Sequence, residues 1–278
     1  MRSDGIAVGD RSHGIAVGDR SHGIAVGDRS HSIAVGDRSH GIAVGMMVVA
    51  LCLASEMASA DLLAHWPLDE IKEGIVADAS GHGHDAIAHG LEGRLPQVVS
   101  AITPHGLQFV GKDEQYLEVR NTEGLAAPAA FTVMAWIKPR ARNGTYEIIG
   151  NKGDRSGDPP WPGWRLRYFW TRPAFDYGSA DGSQTRVDGP EWCLPAGLWS
   201  HVAATYDGQT VTLWVDAEKV AEQAVTQPIM PAARPLVIGN YIGRKNAYAL
   251  DGVLDEVRVF AGVLSAEEIF AAAAQGMP

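Results

Sequence analysis

Three groups of residues in this 278-residue sequence have side chains suited to chemistry. The first is the loop Asp78-Ala-Ser-Gly-His-Gly-His-Asp85, followed closely by His89. His82, His84 and His89 beside Asp78 and Asp85 offer the donor types of a transition-metal site. Imidazoles at these spacings in a glycine-rich loop also describe solvated side chains, and that is the reading adopted. The second group is acidic. Hydrolysis of a glycoside with retention needs two carboxyl groups about 5–5.5 Å apart, which acidic residues alternating on one strand can supply. No Glu-x-Asp-x-Glu run occurs in any strand-like segment. Asp69-Glu70, with Glu73 beyond, follows a proline, and Asp255-Glu256 is an adjacent pair whose carboxylates would face opposite sides of a sheet. Ser179-Ala-Asp-Gly-Ser matches a sialidase Asp-box only in part, with its second glycine out of register. These patterns argue against an enzyme and for a non-catalytic domain.

The third group is aromatic. Of eight tryptophans, Trp66, Trp136, Trp199 and Trp214 fall in strand-like runs and read as core or sheet-face residues. Trp161, Trp164, Trp170 and Trp192 lie in or beside an irregular stretch around Lys152–Trp192. A ring exposed there, with Arg165 and Arg167 nearby, would give a sugar an apolar face to stack on and donors for its hydroxyls. Trp161, Trp164, Arg165, Arg167 and Trp192 are therefore the candidate ligand-binding residues. Cys193, between Trp192 and Leu194, reads as a small buried hydrophobe.

The elements that must position these residues are strands. Trp199–Asp216 holds two β-rich runs flanking Asp207-Gly208, a pair suited to a tight turn, and predicts a hairpin. Both of its faces carry apolar residues, so it belongs inside a large sheet covered by a second one. Further strands are predicted at Leu62–Trp66, Gly106–Val110, Gln115–Val119, Phe131–Lys138, Glu147–Asn151, Gly163–Trp170, Leu236–Asn240 and Gly252–Phe260. Ser265-Ala-Glu-Glu268 is a capping box and predicts a short closing helix. The fold class is all-β, a two-sheet antiparallel jelly-roll sandwich.

The first 60 residues stand apart. Gly9–Val17 recurs with a period of nine from Gly18, Gly27 and Gly36, with Ser32 as one change. Residues 1–45 read as low-complexity repeats, disordered or untranslated, since each copy lacks both a core and the carboxylates of a calcium-binding nonapeptide. Residues 46–60 form an apolar run ending in Ala58-Ser59-Ala60 and read as a signal peptide cleaved before Asp61. This leaves 61–278 as one domain, exported to a periplasmic or extracellular setting. Its net charge without residues 1–60 is −9, a balance that disfavours nucleic acid as a partner. No segment reads as a membrane span.

Trp66-Pro-Leu-Asp-Glu70, the Asp78–Asp85 loop, Phe131–Pro139, Leu198–Gly208, Leu213–Asp216, Leu236–Gly239 and Leu254–Phe260 with Leu264–Ile269 follow one another in an order that resembles the laminin G-like jelly rolls. These domains belong to the concanavalin A-like lectin/glucanase superfamily, and the resemblance spans Asp61–Ala274. It departs at Ala217, where the pattern has glycine after Asp216. The resemblance implies one calcium where the first glycine-rich loop meets the last strand, which would take Asp78, Asp85 and Asp255; the competing reading is an Asx-turn at Asp78. It also implies a binding function, with a carbohydrate or cell-surface glycan as the expected ligand and an extracellular protein as the alternative.

Overall fold

The Asp207-Gly208 turn forms as the residue types require. Gly208 has φ +88°, and the Asp207 carboxylate accepts from the backbone N–H groups of Gln209 (2.7 Å) and Thr210 (2.6 Å). In the computed structural model, which describes residues 60–153, 160–241 and 248–275, this turn joins two of sixteen strands. In chain order these are β1 (Leu62–Trp66), β2 (Ile75–Val76), β3 (Ala86–His89), β4 (Gln97–Val99), β5 (Gly106–Phe109), β6 (Tyr116–Val119), β7 (Phe131–Pro139) and β8 (Thr145–Gly150). They continue with β9 (Trp164–Phe169), β10 (Arg172–Gly178), β11 (Gln184–Asp188), β12 (Ser200–Tyr206), β13 (Thr210–Val215), β14 (Glu218–Ala224), β15 (Leu236–Ile238) and β16 (Gly252–Ala261). One helix, α1 (Ala266–Ala274), closes the series.

The strands make two antiparallel sheets of eight. One has the order β14-β13-β12-β7-β16-β5-β4, with β1 also paired to β16; the other runs β11-β10-β9-β8-β15-β6-β3-β2. Their inner faces pack together through alternating residues from strands of both sheets, including Leu107, Phe109, Leu117, Phe131, Val133, Trp164, Leu166, Phe175 and Leu213, all fully buried. This is the expected jelly-roll sandwich. The β12–β13 hairpin is flanked by β7 and β14. Three of the tryptophans assigned to strands behave as read: Trp66 is fully buried, and the indole N–H groups of Trp136 and Trp214 donate to the Ala273 carbonyl and the Thr205 hydroxyl; Trp199 is half-buried just before β12.

The helix explains why the hairpin is apolar on both sides. Ser265 caps it through the complete reciprocal box with Glu268. Ile269 and Ala272 then lie over Met134 and Ala203 on the outer face of the first sheet. That sheet is thus covered twice, and the outer face of the second sheet is the broad surface left for other work.

Three parts of the sequence reading need correction. The stretch from Thr171 to Trp192, read as irregular, contains β10 and β11, which continue from β9 as a regular meander. β14 was also missed. Its sequence, Glu-Lys-Val-Ala-Glu-Gln-Ala, has helical propensity but serves as a charged, largely exposed edge strand. The short strands β2 and β4 carried no period-two signal. The repeats and nearly all of the segment read as a signal peptide, residues 1–59, lie outside the described residues. Among those described, no helix is long and apolar enough to cross a membrane.

Candidate ligand face and tryptophan rim

Alternation along β9 sorts its side chains between core and outer face. Trp164, Leu166 and Tyr168 point into the sandwich and are fully buried, which sets Arg165, Arg167 and Phe169 on the outer face. The antiparallel register pairs Arg165 with Asp176 of β10 and Arg167 with Glu147 of β8. The Arg167 guanidinium forks onto Asp176, with Nε 2.6 Å and Nη2 3.1 Å from the carboxylate oxygens. Arg165 reaches Asp176 at 3.4 Å and Glu147 at 3.6 Å. Above Arg165 lie the rings of Tyr241 and Tyr248, with centroids 5.0 and 5.6 Å from the guanidinium. Glu147 is buried beneath this layer. Burial pushes its carboxyl up to about 7, against the downward pull of Arg165 and Arg167.

At the end of β9 the chain turns back through Trp170 and Thr171 alone. Both have left-handed backbone, φ +49° and +70°, as a two-residue hairpin turn matched to strand twist demands. Trp170 is 57% exposed. The next loop is tied to this turn: the Trp192 N–H donates to the Thr171 hydroxyl (3.0 Å) and the Leu194 N–H to the Thr171 carbonyl (2.8 Å). Trp192 is itself left-handed, φ +70°, and 65% exposed. The Arg142 guanidinium stands 5.9 Å from its ring, and Arg172 pairs with neighbouring Glu191 at 3.3 Å. Behind the turn, Phe169 carries Arg186 on its ring at 3.8 Å. Two large rings are thus held in solvent on adjoining turns, with guanidinium groups beside them.

The five predicted ligand residues are not brought together. Trp192 is exposed on this rim. Trp164 is not: it is a core residue against Phe131 (5.0 Å) and Phe175 (6.1 Å), so no ring face reaches solvent. Trp161 lies half-buried at the opposite end of the β9–β10 pair, beside Gly178, where any Cβ would meet its carbonyl oxygen. Arg165 and Arg167 are committed to buried ion pairs on the face behind the rim. Trp170 is the residue that belongs with Trp192. A signal for it existed, since two strand-like runs flank a gap of two residues at 170–171, but Trp-Thr lacks turn chemistry.

Of the carboxylates proposed for calcium, Asp78 and Asp85 share one hydrogen-bonded loop, and Asp255 has a separate set of partners. Asp78 accepts from the N–H groups of His65, Ser80 and His84 and from the Ser80 hydroxyl, at 2.8–3.0 Å. Burial alone would raise its pKa, but these bonds together hold it below the ordinary carboxylate value. Asp85 accepts from the Asp78 N–H at 2.8 Å. Asp255, fully buried, is engaged by the Ile102 and Thr103 N–H groups and the Thr103 hydroxyl; burial pushes it up to about 6 despite the Thr103 bonds. Among the described residues no three His, Cys, Asp or Glu side chains are grouped to hold a metal ion. The Asp78 oxygens already accept four hydrogen bonds inside the protein, as in the Asx-turn reading, whereas Asp85 accepts one.

The histidines differ from the solvated reading as well. Of His82, His84 and His89, the first alone is exposed. His84 is buried with Nδ1 2.8 Å from the Asn121 carbonyl oxygen, and His89 stacks on Tyr116 at 4.6 Å. The alternation expected to send Asp255 and Glu256 to opposite faces is broken by a β-bulge: Leu254 and Val257 on either side are both core residues, and Glu256, with φ +54°, reaches His65 at 2.8 Å. Cys193 is half-buried beside the core, and burial raises its thiol pKa, so it behaves as a small apolar side chain.

Residues 111–270 match the laminin G family described under the concanavalin A-like lectin/glucanases superfamily. No curated protein matches the chain in sequence. Among solved structures, domain 4 of AbnA, an extracellular arabinanase from Geobacillus stearothermophilus, in complex with arabinotriose, is similar at 17% identity and TM-score 0.59, over 77% of this chain and 99% of that one. The binding domain of Paraclostridial Mosquitocidal Protein 1 is similar at 15% identity and TM-score 0.60, over 76% and 51%. The botulinum neurotoxin serotype G binding domain follows at 11% and 0.58, over 76% and 50%. This chain spans about half the length of those toxin domains, and at such identities the likeness carries the fold alone. The motifs, the two-sheet topology and the matched residues agree: the chain belongs to the concanavalin A-like lectin/glucanases superfamily, as a laminin G-like domain.

Proposed function

We propose that this protein is an exported, non-catalytic binding module that recognises carbohydrate through the rim formed by Trp170 and Trp192. One observation carries the reading: both tryptophans are more than half exposed and both occupy left-handed backbone. A bulky side chain in that conformation costs roughly 1–2 kcal/mol, and such strain clusters at ligand sites. Two indoles placed in solvent at that expense, with Arg142 and Arg172 beside them, have the apolar faces and the donors that a sugar ring requires. The fold shared with an arabinanase domain seen with arabinotriose is consistent with this. Against an enzyme stands the state of the acidic residues on the same face, since Glu147 and Asp176 are each held by arginine and Glu147 lies out of reach of a substrate.

Affinity electrophoresis tests the proposal, using gels containing arabinan, xylan, mixed-linkage β-glucan or chitosan. The wild type should be retarded by at least one of these, and Trp170→Ala and Trp192→Ala should each lose most of that retardation while keeping the wild-type circular dichroism spectrum. Equal retardation of the variants, or retardation by none of the gels combined with capture of an extracellular protein, would overturn it in favour of an adhesive module. Release of reducing sugar would overturn the non-catalytic reading.

A further inference from the structure

The outer face of the second sheet also holds a cavity of about 400 Å³, three strands away from β9. His89 of β3, Tyr116 and Glu118 of β6 and Val237 of β15 line it, with Asn240 and Tyr241 from the segment that follows β15. The register fixes where it lies. His89 pairs with Tyr116, Leu117 with Ile238, and Ile238 with Ile149. The end of β6 that begins with Tyr116 is therefore the end at which β8 begins with Thr145, opposite Phe169. The cavity and the tryptophan rim lie towards the same end of one face, with β6 and β9 three strand spacings apart, about 14 Å across the sheet.

Its lining is amphipathic in the manner of a sugar. Tyr116, with His89 stacked on it at 16° between ring planes, supplies a rigid aromatic wall, and Val237 with Pro235 an apolar floor. Glu118 is fixed by His89 Nε2 at 3.2 Å and by Arg120 at 2.9 Å, leaving an oriented carboxylate edge to accept from hydroxyls. Burial, with Glu118 next, raises the Tyr116 hydroxyl above its ordinary 10, so it stays protonated at neutral pH. Among the described residues that line the cavity there is no lysine or arginine, whereas Glu92 and Glu114 are both there, on left-handed backbone. The volume falls in the range of small-molecule sites, about 300–1,000 Å³.

We propose that this cavity is a second subsite that takes a single uncharged sugar unit and rejects uronic acids, with Tyr116 as the wall and Glu118 as the hydroxyl acceptor. The inference rests on the reading that the domain binds glycans. It adds that the glycan lies across the strands, from the tryptophan rim towards the cavity.

Saturation-transfer NMR on the intact protein tests it with glucose, galactose, xylose, arabinose and glucuronate, each alone at equal concentration. At least one neutral sugar should receive saturation from the wild type and from Trp192→Ala, while glucuronate should not. Glu118→Gln should weaken that sugar's binding about tenfold or more, since it replaces a charged acceptor by a neutral one. Tyr116→Phe, which keeps the stack and removes the hydroxyl, serves as the second reading should Glu118→Gln unfold. The inference is overturned if no neutral sugar is bound, if binding is lost in Trp192→Ala yet kept in Glu118→Gln and Tyr116→Phe, or if glucuronate binds as well as the neutral sugars. Retardation on polysaccharide gels without any monosaccharide binding would remove this subsite and leave the rim standing. Failure of both would remove both.

Discussion

Replacing Trp192 by alanine and by glycine separates the two things attributed to it. The ring is 65% exposed, so roughly a third of its surface is buried, on the order of 80 Å². At about 25 cal/mol per Å² its loss is worth at most about 2 kcal/mol. The cation–π contact with Arg142, 5.9 Å away, adds about 0.5–1 kcal/mol at an exposed site. Both terms are lost equally in the two variants. What differs is the backbone. With φ at +70°, alanine keeps the left-handed penalty and glycine removes it. At an ordinary position glycine is the worse choice by about 0.5–1 kcal/mol, through its unfolded-state entropy. Here the order should invert, with Trp192→Gly more stable than Trp192→Ala by about 1 kcal/mol, or about 2–4 °C in Tm for a domain of this size. Thermal unfolding followed by circular dichroism reads the order, and affinity electrophoresis reads function, which both variants should lose. A glycine variant that melts below the alanine variant would refute the strained backbone. Full retardation of either variant would refute the role of the ring.

The same logic gives a control away from the rim. Ala217, at φ +63° in the two-residue β13–β14 turn, stands where the family pattern has glycine, so Ala217→Gly should raise stability by about 1 kcal/mol without changing retention on any gel; a lower Tm would contradict the turn. Burial pushes the Glu147 carboxyl up to about 7 from an ordinary 4.5, so the folded state holds the extra proton between those values. The stability of the wild type relative to Glu147→Gln should therefore fall as pH rises from about 4.5 to about 7 and level off above, as denaturant midpoints across that range will read. A flat difference would place Glu147 in contact with solvent. Finally, because Asp78 accepts four hydrogen bonds within the protein, Asp78→Ala should cost about 2–4 kcal/mol, while a chelator should leave the wild-type Tm unchanged. A fall in Tm with chelator, absent from Asp78→Ala, would restore the calcium site.

What could be read in the sequence tracks how locally each element is specified. The β12–β13 hairpin and the capped helix carry their own instructions, an Asp-Gly turn and a Ser-x-x-Glu box, and both formed where the residues placed them. The β9–β10 turn is built from Trp170 and Thr171, which no turn preference selects. Without a recognisable turn the meander looked irregular, and the rim was lost with it. β14 illustrates the opposite conflict: its local preference is helical, and its strand state comes from pairing with β13. Burial was the other blind spot. Trp164 and Trp192 sit in similar aromatic surroundings in the sequence, yet one is inward on a central strand and the other outward on a loop, a difference that strand phase alone decides. Asp78, Asp85 and Asp255 were grouped by resemblance, whereas the fold gives each its own set of backbone donors.

The pairing of β1 with β16 has a mechanical meaning. Leu62, where β1 begins, lies opposite Phe260, near where β16 ends, and Trp66 opposite Val257; the Ala261 N–H donates to the Asp61 carbonyl at 2.8 Å. The entering and leaving ends of these two strands are therefore neighbours, on the sheet away from the tryptophan rim. Tension applied through the two ends first lifts α1 from its seat on Met134 and Ala203, and then meets the β1–β16 hydrogen bonds one at a time, because in an antiparallel pair they lie across the strands. A load arriving by this route opens the domain like a zipper, whereas a load applied at the tryptophan rim of the opposite sheet falls on β9, β10 and their neighbours. The direction of pull decides which part of the domain gives way.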